Sequence, residues 1–194
     1  FLKILETIGI KVVDVVTSSS GDYACNRIKD SENKVGALIN IGEETTTVSI
    51  FNKGILTRAE VIELGGANID NDIAYIYKIT KKDAKELKEK IGLACTDMAR
   101  SEEKVTLTDR LGESILINQK DLSEIIESRL KEILDLSKKQ INLLTKREIE
   151  YIIVTGGSSE IGDFHNLLDK VFTKPSILGK IDTVGARNNK FSTA

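Results

Sequence analysis

The spacing of apolar residues predicts how helices and strands alternate along the first part of the chain. Apolar positions recur at helical intervals at the amino-terminal end, and Gly9 is suited to end that helix. Residues 10–16 are rich in β-branched side chains, which predicts a strand. The polar stretch 17–21 then predicts the cap of a helix at about residues 23–28.

Three strand patterns follow one another closely. Val35–Ile41 is an almost continuous apolar run, as expected of a strand that is buried on both faces. Residues 45–51 alternate between apolar and polar side chains, and residues 55–64 form a third run after a turn at 52–54. Because the connections are short, we predict an antiparallel meander.

Helical patterns dominate the middle of the chain. The glycine pair 65–66 ends the meander and opens a helix over about residues 68–77. Thr80 is a capping residue that predicts the start of a helix over Lys81–Ile91, and Gly92 predicts its end.

The longest helix and the last strand lie in the second half of the chain. Residues 103–117 predict a short hairpin, and Asn118 caps a long helix whose apolar residues share one stripe. The stripe consists of Leu122, Ile125, Ile126, Leu130, Ile133, Leu134, Ile141 and Leu144. Tyr151–Thr155 predicts a buried strand, which a glycine turn connects to a helix over about residues 164–172 and a strand near Ile177.

This order of elements predicts an α/β fold with a mixed sheet and helices on both faces, because three antiparallel strands precede α/β units. Residues 67–144 are mostly helical, and we expect them to form an inserted subdomain. Residues 1–66 and 145–194 would then form the part of the molecule that holds the sheet.

The composition narrows the classes of function. The 194 residues include 28 Lys and Arg against 30 Asp and Glu, a formal net charge of −2, which gives no electrostatic reason to expect nucleic acid or an anionic membrane as a partner. One histidine and two cysteines that lie far apart do not favour a zinc site, a Ser-His-Asp triad or a disulfide framework. No apolar run reaches the roughly 20 residues of a membrane-spanning helix.

Three glycine turns at predicted strand ends are candidates for ligand chemistry. The first contains Asn40, Gly42, Glu44 and Thr45, and such a tight turn can aim backbone N–H groups at an anion. Taken alone, this pattern is more typical of an ordinary hairpin with a glycine. Lys88 is a further candidate, although lysines on a helix of this kind usually belong to a solvated face.

The other two turns contain paired glycines. Gly65 and Gly66 follow the third strand, and Gly156, Gly157 and Ser158 follow the second buried strand. Glycines at such a place let a flat ring or a phosphate lie against the backbone, at the sheet edge where ligands of open α/β sheets bind. For the motif with Gly156 and Gly157, a helix-entry turn with unusual dihedral angles is an equally good explanation.

In order and spacing, the three turns resemble those of the actin/Hsp70/hexokinase ATPase superfamily, and within it the FtsA family most closely. The second phosphate loop of that superfamily is Asp-x-Gly-x-Gly-Thr, and residues 40–45 read Asn-Ile-Gly-Glu-Glu-Thr. Further segments that resemble FtsA are residues 61–74, 83–92, 124–134, 154–157 and 179–194, so the resemblance covers essentially the whole chain.

The resemblance implies an actin-like (RNase H-like) clamp with ATP and Mg²⁺ in its cleft, of which this chain is the second domain with subdomains 2A and 2B. The three turns and Lys88 would contact the nucleotide, and Asn40 stands at the metal position. Arg129 and Glu132 on the long helix would contact the C-terminal tail of FtsZ.

The resemblance also implies where the protein acts. FtsA tethers FtsZ filaments to the inner face of the cell membrane at the division septum, and the full-length protein self-associates as an actin-like filament. Its membrane contact comes from a C-terminal amphipathic helix, which we expect to lie outside this chain.

Two residues of the first turn depart from the family pattern. Asn40 replaces an aspartate and adds no negative charge to hold Mg²⁺. Glu44 replaces a glycine, which would cost about 1–2 kcal/mol if the position needs a positive φ. We therefore predict weak nucleotide binding and little or no hydrolysis. The alternatives are an active actin-like ATPase, or another actin-like assembly protein that acts in pilus assembly or cell shape.

Overall fold

The computed structural model describes residues 2–179, and this part of the chain forms six α-helices and seven strands. The helices are α1 Leu2–Thr7, α2 Ser18–Cys25, α3 Gly66–Ile76, α4 Lys81–Ile91, α5 Gln119–Leu144 and α6 Phe164–Val171. The strands are β1 Val35–Ile41, β2 Thr46–Asn52, β3 Ile55–Ile62, β4 Lys104–Thr108, β5 Ser114–Asn118, β6 Tyr151–Thr155 and β7 Ser176–Leu178.

Five strands form one mixed sheet in the order β3-β2-β1-β6-β7, and β4 pairs with β5 in a separate hairpin. β1 pairs antiparallel with β2, and β2 with β3, so the predicted meander is confirmed. β6 runs parallel to both β1 and β7. β1 therefore lies at the centre of the sheet, where the antiparallel meander meets the parallel strands.

β1 is buried on both faces, as its apolar run predicts. Ala37, Ile39 and Ile41 face the larger hydrophobic core, which also contains the apolar sides of α3, α4, α5 and α6. Leu38 lies on the opposite face, in a smaller cluster with Tyr23 of α2. Helices thus cover both faces of the sheet, which confirms the predicted α/β architecture.

α5 is the long amphipathic helix that the sequence predicts. Asn118 caps it, since its side-chain oxygen accepts a hydrogen bond from the Asp121 N–H at 2.8 Å. Most of the predicted stripe is fully buried in the larger core, and Ile125 and Leu144 are partly buried against it. Each fully buried aliphatic side chain contributes about 1.5–3 kcal/mol, so this face of α5 holds the helix on β2 and β3.

The helix predicted at about residues 23–28 begins and ends earlier than expected. Thr17 caps α2 by accepting a hydrogen bond from the Ser20 N–H at 3.4 Å, so the residues after Thr17 form the first turn of the helix itself. The helix ends at Asn26, whose amide donates to the Asp22 carbonyl at 2.9 Å.

The strand predicted at residues 10–16 is wrong. The segment has no regular structure, Val13 is 90% exposed, and none of the described strands pairs with it. β-branched residues fit a pleated, half-buried surface, and here no neighbouring strand provides one. Gly9 does end α1 as predicted, because its φ is +79° and the Ile10 N–H bonds to the Leu5 carbonyl at 2.9 Å.

Residues 67–144 contain nearly all of α3, the helices α4 and α5, and the β4–β5 hairpin. The larger core continues from this region into the sheet, since Ile69 of α3 and Ile39 of β1 belong to the same cluster. The division into two subdomains stays a prediction. The resemblance noted for the tail falls almost wholly on residues 180–194, which lie outside the described part of the chain.

Candidate functional site

A cleft of about 470 Å³ lies at the edge of the sheet where β1 and β6 end. It is formed by the β1–β2 turn, the start of α3, one side of α4 and the turn after β6. The lining residues are Gly42, Glu43, Gly66, Asp70, Lys85, Lys88, Glu89, Gly92, Gly157, Ser158, Glu160, Ile161 and Gly162.

Hydrogen bonds join the three glycine turns directly. The N–H groups of Gly66 and Ala67, at the start of α3, donate to the carbonyls of Gly42 and Glu43 at 2.9 and 2.7 Å. The hydroxyl of Ser158 donates to the same Gly42 carbonyl at 3.3 Å. The three turns therefore meet at one surface, as their positions at strand ends led us to expect.

Glycine is required at two of these positions. A Cβ on Gly65 would lie 2.6 Å from the Glu43 carbonyl oxygen, so a side chain would push α3 away from the β1–β2 turn. Gly156 has φ +94°, and a Cβ there would collide with the Ile41 carbonyl and lie 2.8 Å from Asn40 Oδ1. Both glycines permit the backbone contacts that shape the cleft, although only their neighbours line it.

A buried ion pair lies inside the cleft. Lys88 Nζ is 2.6 Å from Asp70 Oδ1, and the two side chains are 9% and 7% exposed. The contact is a close approach of charges and not a well-aligned hydrogen bond, because Asp70 Oδ1 has no donor in hydrogen-bonding geometry. Lys88 Nζ also donates to the Gly66 carbonyl at 3.4 Å. Lys88 was a candidate from its sequence pattern, whereas Asp70 was not.

Two predicted residues of the first turn lie at its exposed tip. Glu44 and Thr45 are exposed and are not among the cleft-lining residues, while the Thr45 carbonyl accepts a hydrogen bond from the Gly42 N–H at 2.9 Å. Glu44 does not have a positive φ, so the backbone strain considered for this substitution does not arise. Its carboxylate still adds negative charge to the turn.

Asn40 lies beside a carboxylate of α2. Its amide donates to Asp22 Oδ2 at 2.5 Å, and the Thr155 hydroxyl lies 3.4 Å from the same oxygen. Within residues 2–179, no group of three or more His, Cys, Asp or Glu side chains is arranged to hold a metal ion. The donor set around Asn40 therefore does not form a cation cage by itself.

Arg129 and Glu132 lie together in a separate groove of about 580 Å³ between α3 and α5. Arg129 binds Asp72 through two parallel hydrogen bonds, Nε to Oδ2 at 2.6 Å and Nη2 to Oδ1 at 2.9 Å. Its Nη1 donates to Glu132 Oε2 at 2.5 Å. The hydrogen bonds to Asp72 raise the pKa of the guanidinium despite its partial burial. This groove does not share a lining residue with the cleft.

The groove combines exposed apolar side chains with acidic ones. Tyr75 and Ile76 are 85% and 53% exposed, and the acidic lining residues include Asp121 and Glu124. Burial, helped by the charges of Asp121 and Glu124, raises the pKa of the neighbouring Tyr77 to about 12. The groove therefore has an apolar ridge and a surplus of carboxylates around one arginine.

In the part of the chain that the structure describes, no helix is both long enough and apolar enough to cross a membrane.

Comparison with known proteins identifies the family. The family model described as cell division protein FtsA matches residues 37–194. The chain belongs to the FtsA family. FtsA of Staphylococcus epidermidis is 31% identical over 197 residues, and FtsA of Bacillus subtilis is 27% identical over 195 residues. These matches cover 100% and 99% of the chain but 42% and 44% of the relatives' length, so the chain spans less than half of each relative.

The solved structure of another protein has a fold similar to that of this FtsA-family chain. The structure of MreB5 of Spiroplasma citri bound to ADP is similar with a TM-score of 0.73, over 91% of this chain and 58% of its own, at 21% sequence identity. The predicted actin-like fold is therefore confirmed. The family match separates the chain from the pilus-assembly and cell-shape branches that the sequence analysis kept as alternatives.

Proposed function

We propose that this FtsA-family chain forms one wall of an ATP-binding cleft and carries the docking surface for the C-terminal tail of FtsZ. The whole protein would tether FtsZ filaments to the inner face of the membrane at the division septum. The observation that carries the nucleotide part is the convergence of Gly42, Gly66 and Gly157 on one cleft beside Lys88. The family match supports the same function.

The cleft fits a nucleotide in size and lining. Ligand sites are typically concave volumes of about 300–1,000 Å³, and this one encloses about 470 Å³. A purine would lie against Gly157 in the turn after β6, where no side chain separates the ligand from the backbone. The phosphates would face the β1–β2 turn at Gly42, because a tight glycine turn can aim backbone N–H groups at an anion. The Gly42 N–H itself already bonds to the Thr45 carbonyl, so N–H groups of the residues between Gly42 and Thr45 would have to meet the phosphates.

The proposed hydrolysis is slow or absent. An amide adds no charge to hold a hard cation, and the Asn40 amide already donates to Asp22 at 2.5 Å. The Glu44 carboxylate, on the exposed tip of the turn, opposes the approach of phosphates unless Mg²⁺ lies between them. ATP binding without rapid turnover is compatible with a tethering function.

Nucleotide binding is tested by titrating a fluorescent ATP analogue into the full-length protein, with and without Mg²⁺. Gly156→Ala places a Cβ against the Ile41 carbonyl at φ +94°, and we expect affinity to fall by about tenfold or more. Gly112→Ala is the matched control, because that glycine has φ +86° and its Cβ would meet nothing within 4 Å.

No binding by the wild type, or an equal loss in both variants, would contradict the nucleotide cleft. Circular dichroism of each variant shows whether it is folded. ATP turnover as fast as that of an ordinary actin-like ATPase would contradict only the proposal of slow hydrolysis.

The FtsZ tail would bind in the groove that contains Arg129. A guanidinium has five N–H donors, and the hydrogen bonds to Asp72 and Glu132 occupy three of them. The remaining donors are available to a carboxylate or a backbone carbonyl of the tail. The exposed ridge of Tyr75 and Ile76 offers apolar contact beside them.

Tail binding is tested by fluorescence anisotropy with a labelled FtsZ tail peptide and the full-length protein. Arg129→Ala should weaken binding by about tenfold, which is typical for the loss of an arginine anchor. Arg27→Ala is the control, since Arg27 also makes an ion pair, with Glu32 at 3.0 Å, but lies outside the groove. Equal affinity of wild type and Arg129→Ala would reject this surface.

The full-length protein would also assemble with further copies of itself. Residues 1–66 and 145–194 would form subdomain 2A and residues 67–144 subdomain 2B, and the full-length protein would associate into actin-like filaments. Sedimentation of the full-length protein with ATP should place it in the pellet in a concentration-dependent way. A protein that stays monomeric at all concentrations would contradict the filament.

A further inference from the structure

We propose that Asp70 sets the charge preference of the cleft. We call the part of the cleft formed by Asp70 and Lys88 its inner end. Because Asp70 neutralises Lys88, the inner end accepts an uncharged, hydrogen-bonding part of a ligand. It rejects a phosphate or a carboxylate. The inference rests on the proposed nucleotide cleft and deepens it, because it assigns the charge preference of the inner end to one residue, Asp70.

The ion pair is too buried for solvent to screen it. Lys88 Nζ and Asp70 Oδ1 are 2.6 Å apart, and both side chains are more than nine-tenths buried. Opposite charges at this separation in a site of low dielectric compensate one another strongly. An anionic group that enters the inner end therefore meets an ammonium whose charge is already balanced.

The position of the pair shows which ligand chemistry it suits. Lys88 Nζ lies 3.4 Å from the Gly66 carbonyl and 3.7 Å from the place of a Gly66 Cβ, so it sits where the glycine turns meet. Asp70 Oδ1 is a buried acceptor without an aligned donor. Asp70 also lines the cleft, so a ligand hydroxyl or amino group can donate to the accessible part of its carboxylate, whereas a phosphate or carboxylate has no hydrogen to give and is repelled.

The rest of the cleft does not supply a compensating cation. Lys85, the other lysine of the lining, lies 3.5 Å from the Glu43 carboxylate. The remaining charged lining residues, Glu89 and Glu160, are both acidic. Among the described lining residues, each lysine therefore already has a carboxylate partner, and the charge of a ligand's phosphates must be balanced from outside this wall.

The test compares ADP with adenosine on the full-length protein by calorimetry, with EDTA present so that only protein charges act on the phosphates. Asp70→Asn frees the ammonium of Lys88 and removes a negative charge. We expect ADP affinity to rise about tenfold relative to adenosine affinity. Glu86→Gln is the matched control, because it removes a carboxylate from the exposed side of α4, where Glu86 lies 3.9 Å from Lys82.

Three further variants separate the charge effect from a change in packing. Asp70→Glu keeps the negative charge and should keep the wild-type ratio of ADP to adenosine affinity. The double variant Asp70→Asn with Lys88→Met should lose the gain in ADP affinity, because the freed ammonium is gone. Lys88→Met alone leaves Asp70 uncompensated and should lower ADP affinity relative to adenosine.

Each outcome bears on the inference. It is overturned if Asp70→Asn changes ADP and adenosine affinity by the same factor, or lowers ADP affinity relative to adenosine, while the wild type still binds nucleotide. If Asp70→Asn does not fold, an unchanged ratio in Lys88→Met overturns it instead. If the wild type binds neither ADP nor adenosine, the nucleotide cleft itself fails and this inference fails with it.

Discussion

Two aspartates of α3, two residues apart, form ion pairs on opposite sides of the same helix. Asp70 meets Lys88 of α4 inside the cleft, and the pair is 7% and 9% exposed. Asp72 meets Arg129 of α5 in the outer groove, and the pair is 29% and 26% exposed. In the inner pair one ammonium meets one carboxylate oxygen, whereas in the outer pair the guanidinium makes two parallel hydrogen bonds to the carboxylate.

The two ion pairs differ in burial and in hydrogen-bond geometry, and these differences suit them to different functions. A buried pair resists any change in its charge, because removal of one partner leaves the other uncompensated in a site of low dielectric. The contact of Arg129 with Asp72 is partly exposed, so it costs less to rearrange, and the guanidinium keeps further N–H donors for a partner. The inner pair would therefore set the charge of the proposed nucleotide site, and the outer pair would suit the proposed docking of a partner that binds and dissociates.

The largest expected effect comes from breaking the inner pair. Lys88→Met leaves the Asp70 carboxylate buried without a partner, and we expect the free energy of unfolding to fall by about 3–5 kcal/mol. Urea denaturation of the full-length protein measures it. Lys85→Met should cost less than about 1 kcal/mol, because the pair of Lys85 with Glu43 is exposed. Equal costs for the two variants would contradict the importance of burial.

A third carboxylate, Asp22, extends the comparison because it faces an amide and not a cation. Asn40→Asp would place two carboxylates within about 2.5 Å of each other, and we expect a loss of roughly 1–3 kcal/mol near pH 7. The loss should shrink as pH falls below about 5, where one carboxylate takes up a proton. Melting temperatures between pH 4 and 8 record this.

Asn40→Asp, which restores the aspartate of the family pattern, is therefore expected to destabilise the folded protein unless Asp22 is also changed. The double variant Asn40→Asp with Asp22→Asn should recover most of the lost stability. A double variant that is no more stable than Asn40→Asp alone would show that the carboxylate contact is not the cause.

Breaking the outer pair should have a smaller effect. Arg129→Ala removes the fork to Asp72, which remains partly solvated, and we expect the free energy of unfolding to fall by about 1–2 kcal/mol. Arg129→Lys should recover less than half of this, because an ammonium cannot make the two parallel hydrogen bonds. Full recovery by lysine, in the same denaturation assay, would show that charge alone matters there.

The smallest expected effect is a change in the pKa of Tyr77, at the edge of the outer groove. Burial raises the pKa of Tyr77 to about 12, with smaller contributions from Asp121 and Glu124. Because the folded-state pKa lies above the unfolded one, this stabilising contribution is present below pH 10 and is lost as pH rises through about 12.

Glu124→Gln should lower the pKa of Tyr77 only modestly, since burial remains. Alkaline difference spectra of the phenolate, with Tyr77→Phe to identify its signal, measure the change. An unchanged pKa would show that the acidic surplus of the groove is screened by solvent.

Where the local sequence pattern is strong, the sequence predicts both the type of an element and the residues at which it begins and ends. Val35–Ile41 is an almost continuous apolar run between Lys34 and Gly42, and Thr80 and Gly92 fix both ends of Lys81–Ile91. Residues 10–16 have an equally clear β-branched signal, yet they form no strand, because a strand also needs a neighbour that local sequence does not reveal.

The candidate site shows the same limit. The sequence identifies the glycine turns because close backbone contacts exclude side chains at positions such as Gly65 and Gly156. It cannot show that Glu44 is exposed and does not line the cleft. Asp70 did leave a signal, an acid between the buried Ile69 and Ile73, but only the packing of α3 against α4 shows that it meets Lys88.

The hydrogen bonds between the β1–β2 turn and α3 make the two a single mechanical unit. Because the first N–H groups of α3 end on the carbonyls of Gly42 and Glu43, the turn cannot be lifted without breaking them or tilting the helix. A tilt of α3 would move Asp70 and Asp72 together. A displacement of the turn that tilts α3 would therefore disturb the contact of Asp70 with Lys88 and that of Asp72 with Arg129 at the same time.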